Sequence, residues 1–222
     1  SINPDVVKDS PSGAVFGGRA QTGITTTSSA PANYATLNPV SLPYSNSGDT
    51  RISTLSNGNL TYDGVSSYWG PAFSTIPLGK TGKYYFETIP AGGGNVVIGV
   101  GKYLSATGNR FWDQGTGTQT FFYSAGGNIL NNSSTLDSSP ASFGNGDVIG
   151  FAMDCDRNIG KFYKNGVLQA TVAMPAAVIT AKDAGTVFPF CDTYNGIDVE
   201  WNFGQKPFKY APPQGYLPIN SA

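Results

Sequence analysis

Acid–base and nucleophilic chemistry have few candidate side chains in this sequence. The chain contains no histidine, which removes Ser-His-Asp and Cys-His nucleophilic arrangements and histidine-ligated metal sites. Paired carboxylates of the kind that hydrolyse glycosidic bonds remain as the one catalytic option. The only glutamates are Glu87 and Glu200, and Asp198 lies two residues before Glu200. In a β-strand this spacing would place Asp198 and Glu200 on one face, about 7 Å apart.

A structural role for Asp198 and Glu200 is favoured over a catalytic one, because β-sandwich glycosidases carry more acidic residues on the catalytic strand than these two. Asp154 and Asp156 could ligate a hard cation from a turn, but an aspartate that ends a strand more often accepts hydrogen bonds from turn amides. We therefore expect a protein that is not an enzyme, with no cofactor and no metal site.

The two cysteines, Cys155 and Cys191, do not form a CxxC or other metal-ligand spacing. Two buried free thiols are expected, since a chain assembled in a reducing compartment keeps its cysteines reduced. A disulfide across neighbouring strands is the alternative.

Composition points to an all-β fold with a polar, weakly charged surface. The chain has 222 residues, with 29 Gly, 15 Pro and 13% aromatic residues, which suits turns and a packed core better than helices. A net charge of −1 and 12% charged residues give no basic stripe for nucleic acid. No run approaches the ~18 apolar residues of a membrane helix, so membrane insertion is not expected.

The stretch GDVIGFAMDCDRNIGKFYKNGVLQATV at 146–172 predicts three consecutive antiparallel strands. Residues 147–154 are apolar on both faces, which indicates a central strand. Asp156, Arg157 and Asn158 form the first turn. Asn165 and Gly166 form the second, since this dipeptide suits the two positive φ angles of a type I′ turn. The core is expected to depend on three aromatic residues, Phe151, Phe162 and Trp201.

Other strands are predicted from alternating or β-branched runs. They are 34–37, 52–55, 60–62, 73–76, 83–89, 95–101, 121–124, 128–130, 176–180, 187–190 and 197–203. Residues 131–140 are expected to be a polar connection.

Several of these stretches resemble one known family. GDVIGFAMDCDRNIGKFYKNG is similar to the central signature of the SPRY domain, and GKYYFETI at 82–89 resembles its early strand. NFGQKPFKYAPPQGY at 202–216, with DSP at 9–11 and NYATLNP at 33–39, resembles the closing and opening motifs of SPRY domains on bacteriophage virion proteins. Residues 12–32 look inserted between the two opening motifs. The resemblance implies a concanavalin A-like antiparallel β-sandwich.

Two regions are expected in the chain. Residues 1–32, with three prolines and a Thr/Ser run, predict an extended N-terminal arm that either folds back on its own sandwich or tethers a partner subunit. Residues 33–222 are expected to form one sandwich domain.

The expected recognition surface is the loop 103–119, because it concentrates a cation, large aromatics and an acceptor. The alternative is that Phe111 and Trp112 plug the sandwich edge. The candidate binding residues are Tyr103, Arg110, Phe111, Trp112, Asp113, Tyr194 and Asn195.

The resemblance implies a non-enzymatic module on the exterior of a virion, made in host cytoplasm and carried on a tail fibre, spike or head. Such a module would bind a host-surface protein or glycan. The alternatives are a capsid-decoration or tail-lattice protein that binds virion neighbours, including copies of itself, and a carbohydrate-active enzyme.

Overall fold

The computed structural model describes residues 33–42, 53–64, 69–103 and 119–221. Within these ranges the chain forms fourteen β-strands, one α-helix and one short 3-10 helix. The 3-10 helix spans Pro39–Ser41, and the strands and helix are β1 (Ser53–Ser56), β2 (Thr61–Gly64), β3 (Gly70–Phe73), β4 (Lys83–Pro90), β5 (Val96–Lys102), β6 (Thr120–Ser124), β7 (Asn128–Asn131), β8 (Ser134–Asp137), β9 (Ile149–Asp154), β10 (Ile159–Lys164), β11 (Val167–Ala173), α1 (Ala176–Asp183), β12 (Val187–Thr193), β13 (Val199–Asn202) and β14 (Leu217–Pro218).

The strands form two sheets packed face to face, which confirms the predicted sandwich. The first sheet has the order β1-β2-β13-β4-β9-β10-β11, with β14 also paired to β4. The second sheet has the order β3-β12-β5-β6-β7-β8. All neighbouring pairs in these two orders are antiparallel, and β14 on β4 is the parallel exception.

The predicted three-strand meander is confirmed as β9, β10 and β11. All six residues of β9 are buried, as expected for a strand paired on both sides and covered on both faces. Asn165 and Gly166 have φ angles of 50° and 77°, which is the positive pair that a type I′ turn needs.

The two halves of the central signature bind each other through Asp147 and Asn165. The Asn165 amide donates to Asp147 Oδ1 at 2.8 Å and accepts from the Val148 N–H at 2.8 Å. Burial alone would raise the pKa of Asp147, but hydrogen bonds from the Gly144 N–H and Asn165, together with the Lys164 ammonium, lower it. These bonds therefore join the turn between β10 and β11 to the residues that precede β9.

Replacing Gly166 by Val is expected to destabilise the fold for two reasons. A β-branched residue in the left-handed region costs about 1–2 kcal/mol. In addition, a Cβ at this position would lie 2.4 Å from Tyr210 Cδ1. Urea unfolding should therefore show a loss larger than that of Gly146→Val, since Gly146 has φ +78 but open space around it. Equal losses for the two variants would show that the Tyr210 contact contributes nothing.

Four predicted elements are corrected. Residues 176–180 were expected as a strand but begin α1, because Ala-rich AAVITAKD follows Pro175 at the helix N-cap. Residues 131–140 contain a strand, β8, and the strand expected at 73–76 is β3, which ends at Phe73. Residues 34–37 make only isolated bridges, from Tyr34 to Asn220 and from Leu37 to Ser74.

The remaining strand predictions are confirmed with small shifts in their ends. The hairpin at Asn57 is also confirmed, but it has a four-residue turn in which Asn57, Gly58 and Asn59 all have positive φ. The predicted arm at 1–32 lies outside the described residues. No helix within the described ranges is both long and apolar enough to cross a membrane.

Both cysteines are buried free thiols, as expected. Burial raises the pKa of Cys155 to about 12 and also raises that of Cys191. Neither thiol is therefore a reactive nucleophile at neutral pH.

Candidate functional site

The predicted binding residues that the structure describes, Tyr103, Tyr194 and Asn195, lie at the two ends of β12. Tyr103 follows β5 and donates its N–H to the Thr186 carbonyl at 3.1 Å, just before β12 begins. Tyr194 and Asn195 follow β12, and the Tyr194 N–H donates to the Asn95 carbonyl at 3.1 Å. A seven-residue strand separates these ends by roughly 20 Å. The other candidates, Arg110, Phe111, Trp112 and Asp113, lie outside the described residues.

Between these two ends, the outer face of the second sheet carries a row of phenylalanines. Phe122 on β6 and Phe190 on β12 both pair with Gly99 on β5, and Phe190 also pairs with Phe73 on β3. The rings of Phe73 and Phe190 are stacked at 5.7 Å, and Phe122 meets Phe190 edge-on at 6.3 Å. The three rings are at most 1% exposed, so they form a packed base.

Gly99 leaves the space in which the Phe122 and Phe190 rings meet. Both Phe122 and Phe190 flank it, and an added Cβ would lie 2.3 Å from the Phe121 carbonyl oxygen and 2.6 Å from Phe122 Cβ. A side chain at this position would therefore push the neighbouring strand and its ring aside.

More exposed aromatic residues border the base, and we call Trp69, Tyr103, Phe188 and Tyr194 the aromatic rim. Tyr103 is 40% exposed, and its ring meets the Phe73 ring edge-on at 5.2 Å. Phe188 lies 6.5 Å from Tyr103, and Trp69 lies 5.9 Å from Tyr194 at the other end. The structure thus places Tyr103 and Tyr194 on one aromatic surface although it does not bring them into contact.

Sequence reasoning missed Trp69 and Phe188 as members of this surface. The alternation in β12 carried the signal for Phe188, because Phe188 and Phe190 must share a face that Val187 and Cys191 do not. Trp69 gave no comparable signal, since it precedes the short strand β3.

On the opposite side of the molecule, the outer face of the first sheet is covered by residues 203–216, which we call the C-terminal strap. The Phe208 ring meets the Tyr85 ring edge-on at 4.9 Å, and Tyr216 lies under the Lys161 ammonium at 5.9 Å from its ring centroid. Tyr216 packs with Tyr85 and Ala152 in a small hydrophobic cluster on this face.

Glu87 fastens the C-terminal strap to the sheet. Its carboxylate is buried and accepts from the Tyr85 hydroxyl at 3.0 Å, the Lys209 N–H at 2.8 Å and the Tyr210 N–H at 3.0 Å. Burial and the neighbouring Glu87 charge raise the pKa of Tyr85, so its hydroxyl stays a donor. The Glu87 carboxylate therefore serves as the acceptor for all three of these donors, and its role is structural.

The other acidic side chains considered for chemistry also have specific partners. Asp198 Oδ1 accepts from the Gly64 N–H at 3.0 Å, and Glu200 pairs with Lys206. Asp154 accepts from the Arg157 N–H at 3.0 Å, which confirms the predicted turn role. Asp156 accepts from the Gly82 N–H at 2.9 Å and so ties the turn to the start of β4. In the part of the chain that the structure describes, no group of three or more Cys, Asp or Glu side chains is placed to hold a metal ion.

Comparison with known proteins agrees with this architecture. The SPRY domain family model matches residues 83–206. A Dictyostelium discoideum protein named probable ATP-dependent RNA helicase ddx1 is 31% identical over 169 residues, which cover 74% of this chain and 20% of that protein. Drosophila melanogaster ATP-dependent RNA helicase Ddx1 is 31% identical over 149 residues, covering 67% of this chain and 19% of its own length. The chain thus spans about a fifth of these relatives.

Solved structures agree with the fold. The SPRY domain of human HERC1 superposes with a TM-score of 0.58 at 18% identity, covering 77% of this chain and 99% of that one. The TRIM65 PSpry domain gives a TM-score of 0.54 at 13% identity, with 77% and 90% covered. The family match includes β4, the meander and β13, which are five adjacent strands of the first sheet. This chain belongs to the SPRY domain family.

Proposed function

We propose that this chain is a non-enzymatic binding module that recognises a protein or glycan partner through the aromatic rim of the second sheet. The observation that carries the proposal is Tyr103, a 40% exposed ring resting on a fully packed phenylalanine base. Exposed aromatics held by a rigid base are suited to recognition, because they bury a large area and lose little side-chain entropy on binding.

The chain's charge argues for a partner other than nucleic acid. It carries 13 Lys and Arg against 14 Asp and Glu, so it offers no net attraction to phosphates. The relatives are named RNA helicases, but the chain spans about a fifth of their length. We therefore do not extend helicase activity to this chain.

The proposed setting is the exterior of a bacteriophage particle, on a tail fibre, spike or head. Support comes from the NYATLNP and NFGQKPFKYAPPQGY motifs, which resemble those of phage virion proteins. The second motif consists of the C-terminal strap and Asn202, the last residue of β13. Its residues therefore also serve to cover the first sheet. A capsid-decoration or tail-lattice role is the alternative within the same setting.

Replacing both Tyr103 and Tyr194 by Ser is expected to weaken partner binding at least tenfold, because each change removes an aromatic anchor. Fluorescently labelled protein would be applied to host cells and to particles stripped of this subunit. The matched control is Tyr210→Ser, since Tyr210 is a 37% exposed tyrosine on the other side of the molecule.

The outcomes separate the candidate functions. Labelling of host cells that competes with phage adsorption supports host recognition, whereas rebinding to stripped particles alone supports decoration. Release of sugar from host glycans would contradict the non-enzymatic assignment. If the double variant binds as well as the control and melts at the same temperature, the aromatic rim is not the binding surface.

A further inference from the structure

A cavity of about 220 Å³ on the outer face of the first sheet brings together both glutamates of the chain. Glu87 pairs with Asn202 and Glu200 pairs with Ile89 across β4 and β13. The two glutamates are therefore diagonal neighbours on one face, with a spacing of roughly 7–8 Å. Both carboxylates line the same small volume.

Glu87 forms no ion pair within the described structure, although Lys206 and Lys209 also line the cavity. The side chain is 2% exposed, and its three hydrogen-bond donors, from Tyr85, Lys209 and Tyr210, are all uncharged groups. The ion pairs of the described residues involve other carboxylates. Neutral donors satisfy the hydrogen bonds of a buried carboxylate, but a nearby cation would stabilise its charge further. Glu87 therefore offers a buried negative charge to a positive group that enters the cavity.

Glu200 at the cavity is paired with a cation that can be replaced. The side chains of Glu200 and Lys206 are 39% and 46% exposed, and exposed ion pairs contribute only about 0–1 kcal/mol. An incoming cation can therefore take the place of Lys206 at little cost. Ile89 and Pro207 also line the cavity and offer apolar surface for an aliphatic stem.

We propose that this cavity binds a lysine or arginine side chain presented by a polypeptide partner, with the aliphatic stem against Ile89 and Pro207 and the cation between Glu87 and Glu200. The cavity lies on the opposite sheet from the aromatic rim, so this proposal does not depend on the function proposed above. Loss of binding at one surface leaves the other testable.

The test is an NMR titration of the isotope-labelled chain with N-acetyl-arginine methylamide. The neutral isostere N-acetyl-citrulline methylamide serves as the matched probe. The amide resonances of Lys209 and Tyr210 are the readout, because these two N–H groups bond the Glu87 carboxylate. Saturable shifts with the arginine probe and at least tenfold weaker binding of the citrulline probe are expected. Equal affinities, or no saturable shift with the arginine probe, would overturn the proposal.

Two variants that leave Glu87 in place sharpen the test. Glu200→Gln should weaken binding of the arginine probe about tenfold, since it removes one charge-assisted partner. Lys206→Ala should strengthen binding severalfold, because it removes the competing cation. Asp63→Asn removes a carboxylate of the same sheet that does not line the cavity, and it should leave the affinity unchanged. Weaker binding after Lys206→Ala, or equal losses for the Glu200 and Asp63 variants, would contradict the assignment.

Discussion

Replacing Glu87 by Ala is expected to lower the free energy of unfolding by about 3–5 kcal/mol, because it leaves the Tyr85 hydroxyl and two backbone N–H groups without their acceptor. Each donor that loses a buried partner costs about 1–3 kcal/mol, and detachment of the C-terminal strap lets water satisfy part of that loss. Urea denaturation measures the total. Hydrogen exchange at Lys209 and Tyr210 should accelerate more than exchange in β9.

Glu200→Ala is the matched control for this prediction. Glu200 lies on the same face of the same sheet, but its ion pair with Lys206 is exposed, so its loss should cost less than about 1 kcal/mol. If Glu87→Ala costs no more than Glu200→Ala, the carboxylate does not hold the strap. If exchange accelerates uniformly across the domain, the loss is global and not localised to the strap.

The role of Glu87 shows why part of the structure could not be predicted from local patterns. The alternation in 83–89 placed Tyr85 and Glu87 on one face of a strand, and the structure confirms that placement. The two backbone N–H groups that bond Glu87, however, lie 122 and 123 residues further along the chain. Without the strap in place, a glutamate on a strand looks like an exposed residue or a catalytic one. Only the tertiary fold shows that Glu87 is buried and holds the C-terminal strap on the sheet.

The meander was predictable because its signals are local. Asn165 and Gly166 adopt the positive φ angles that this dipeptide favours, and the apolar faces of β9 indicate a buried strand regardless of its neighbours. The helix α1 was mistaken for a strand because Val178, Ile179 and Thr180 are β-branched. The alanines around them favour the helix, since helix propensity acts over the whole segment, and Pro175 at the N-cap makes no side-chain capping bond.

The candidate surface was predictable only in part. The sequence predicts Tyr103 as part of the loop 103–119, and Tyr194 and Asn195 as part of the loop before the closing motif. Both tyrosines lie on the outer aromatic surface. The base beneath them depends on the strand order, because Phe73 and Phe190 lie on β3 and β12, which become neighbours only through a crossover, and β5 separates Phe190 from Phe122 on β6. A single sequence does not reveal that order. The cavity between β4 and β13 was missed for the same reason.

Truncating the core aromatics Phe151, Phe162 or Trp201 to Ala is expected to cost about 3–5 kcal/mol each, because all three are 0% exposed and packed against other rings. Phe151 stacks on Phe86 with their ring centroids 4.8 Å apart, and Trp201 also stacks on Phe86 at 5.7 Å. Phe162 connects the two sheets, since its ring meets Phe121 of the second sheet edge-on at 5.1 Å. Urea denaturation with a common slope measures each loss.

A double-mutant cycle distinguishes ring contact from simple burial. Phe151 and Phe162 meet edge-on at 5.6 Å, so the pair should show a coupling of about 0.5–1.5 kcal/mol. Leu168→Ala is the control, because Leu168 is 49% exposed at the sheet edge and its truncation should cost less than about 0.5 kcal/mol. Losses below about 1 kcal/mol at two of the three core positions would show that the sandwich does not depend on this aromatic layer. A coupling near zero, with large single losses, would instead assign their effect to burial alone, since the rings would then contribute independently.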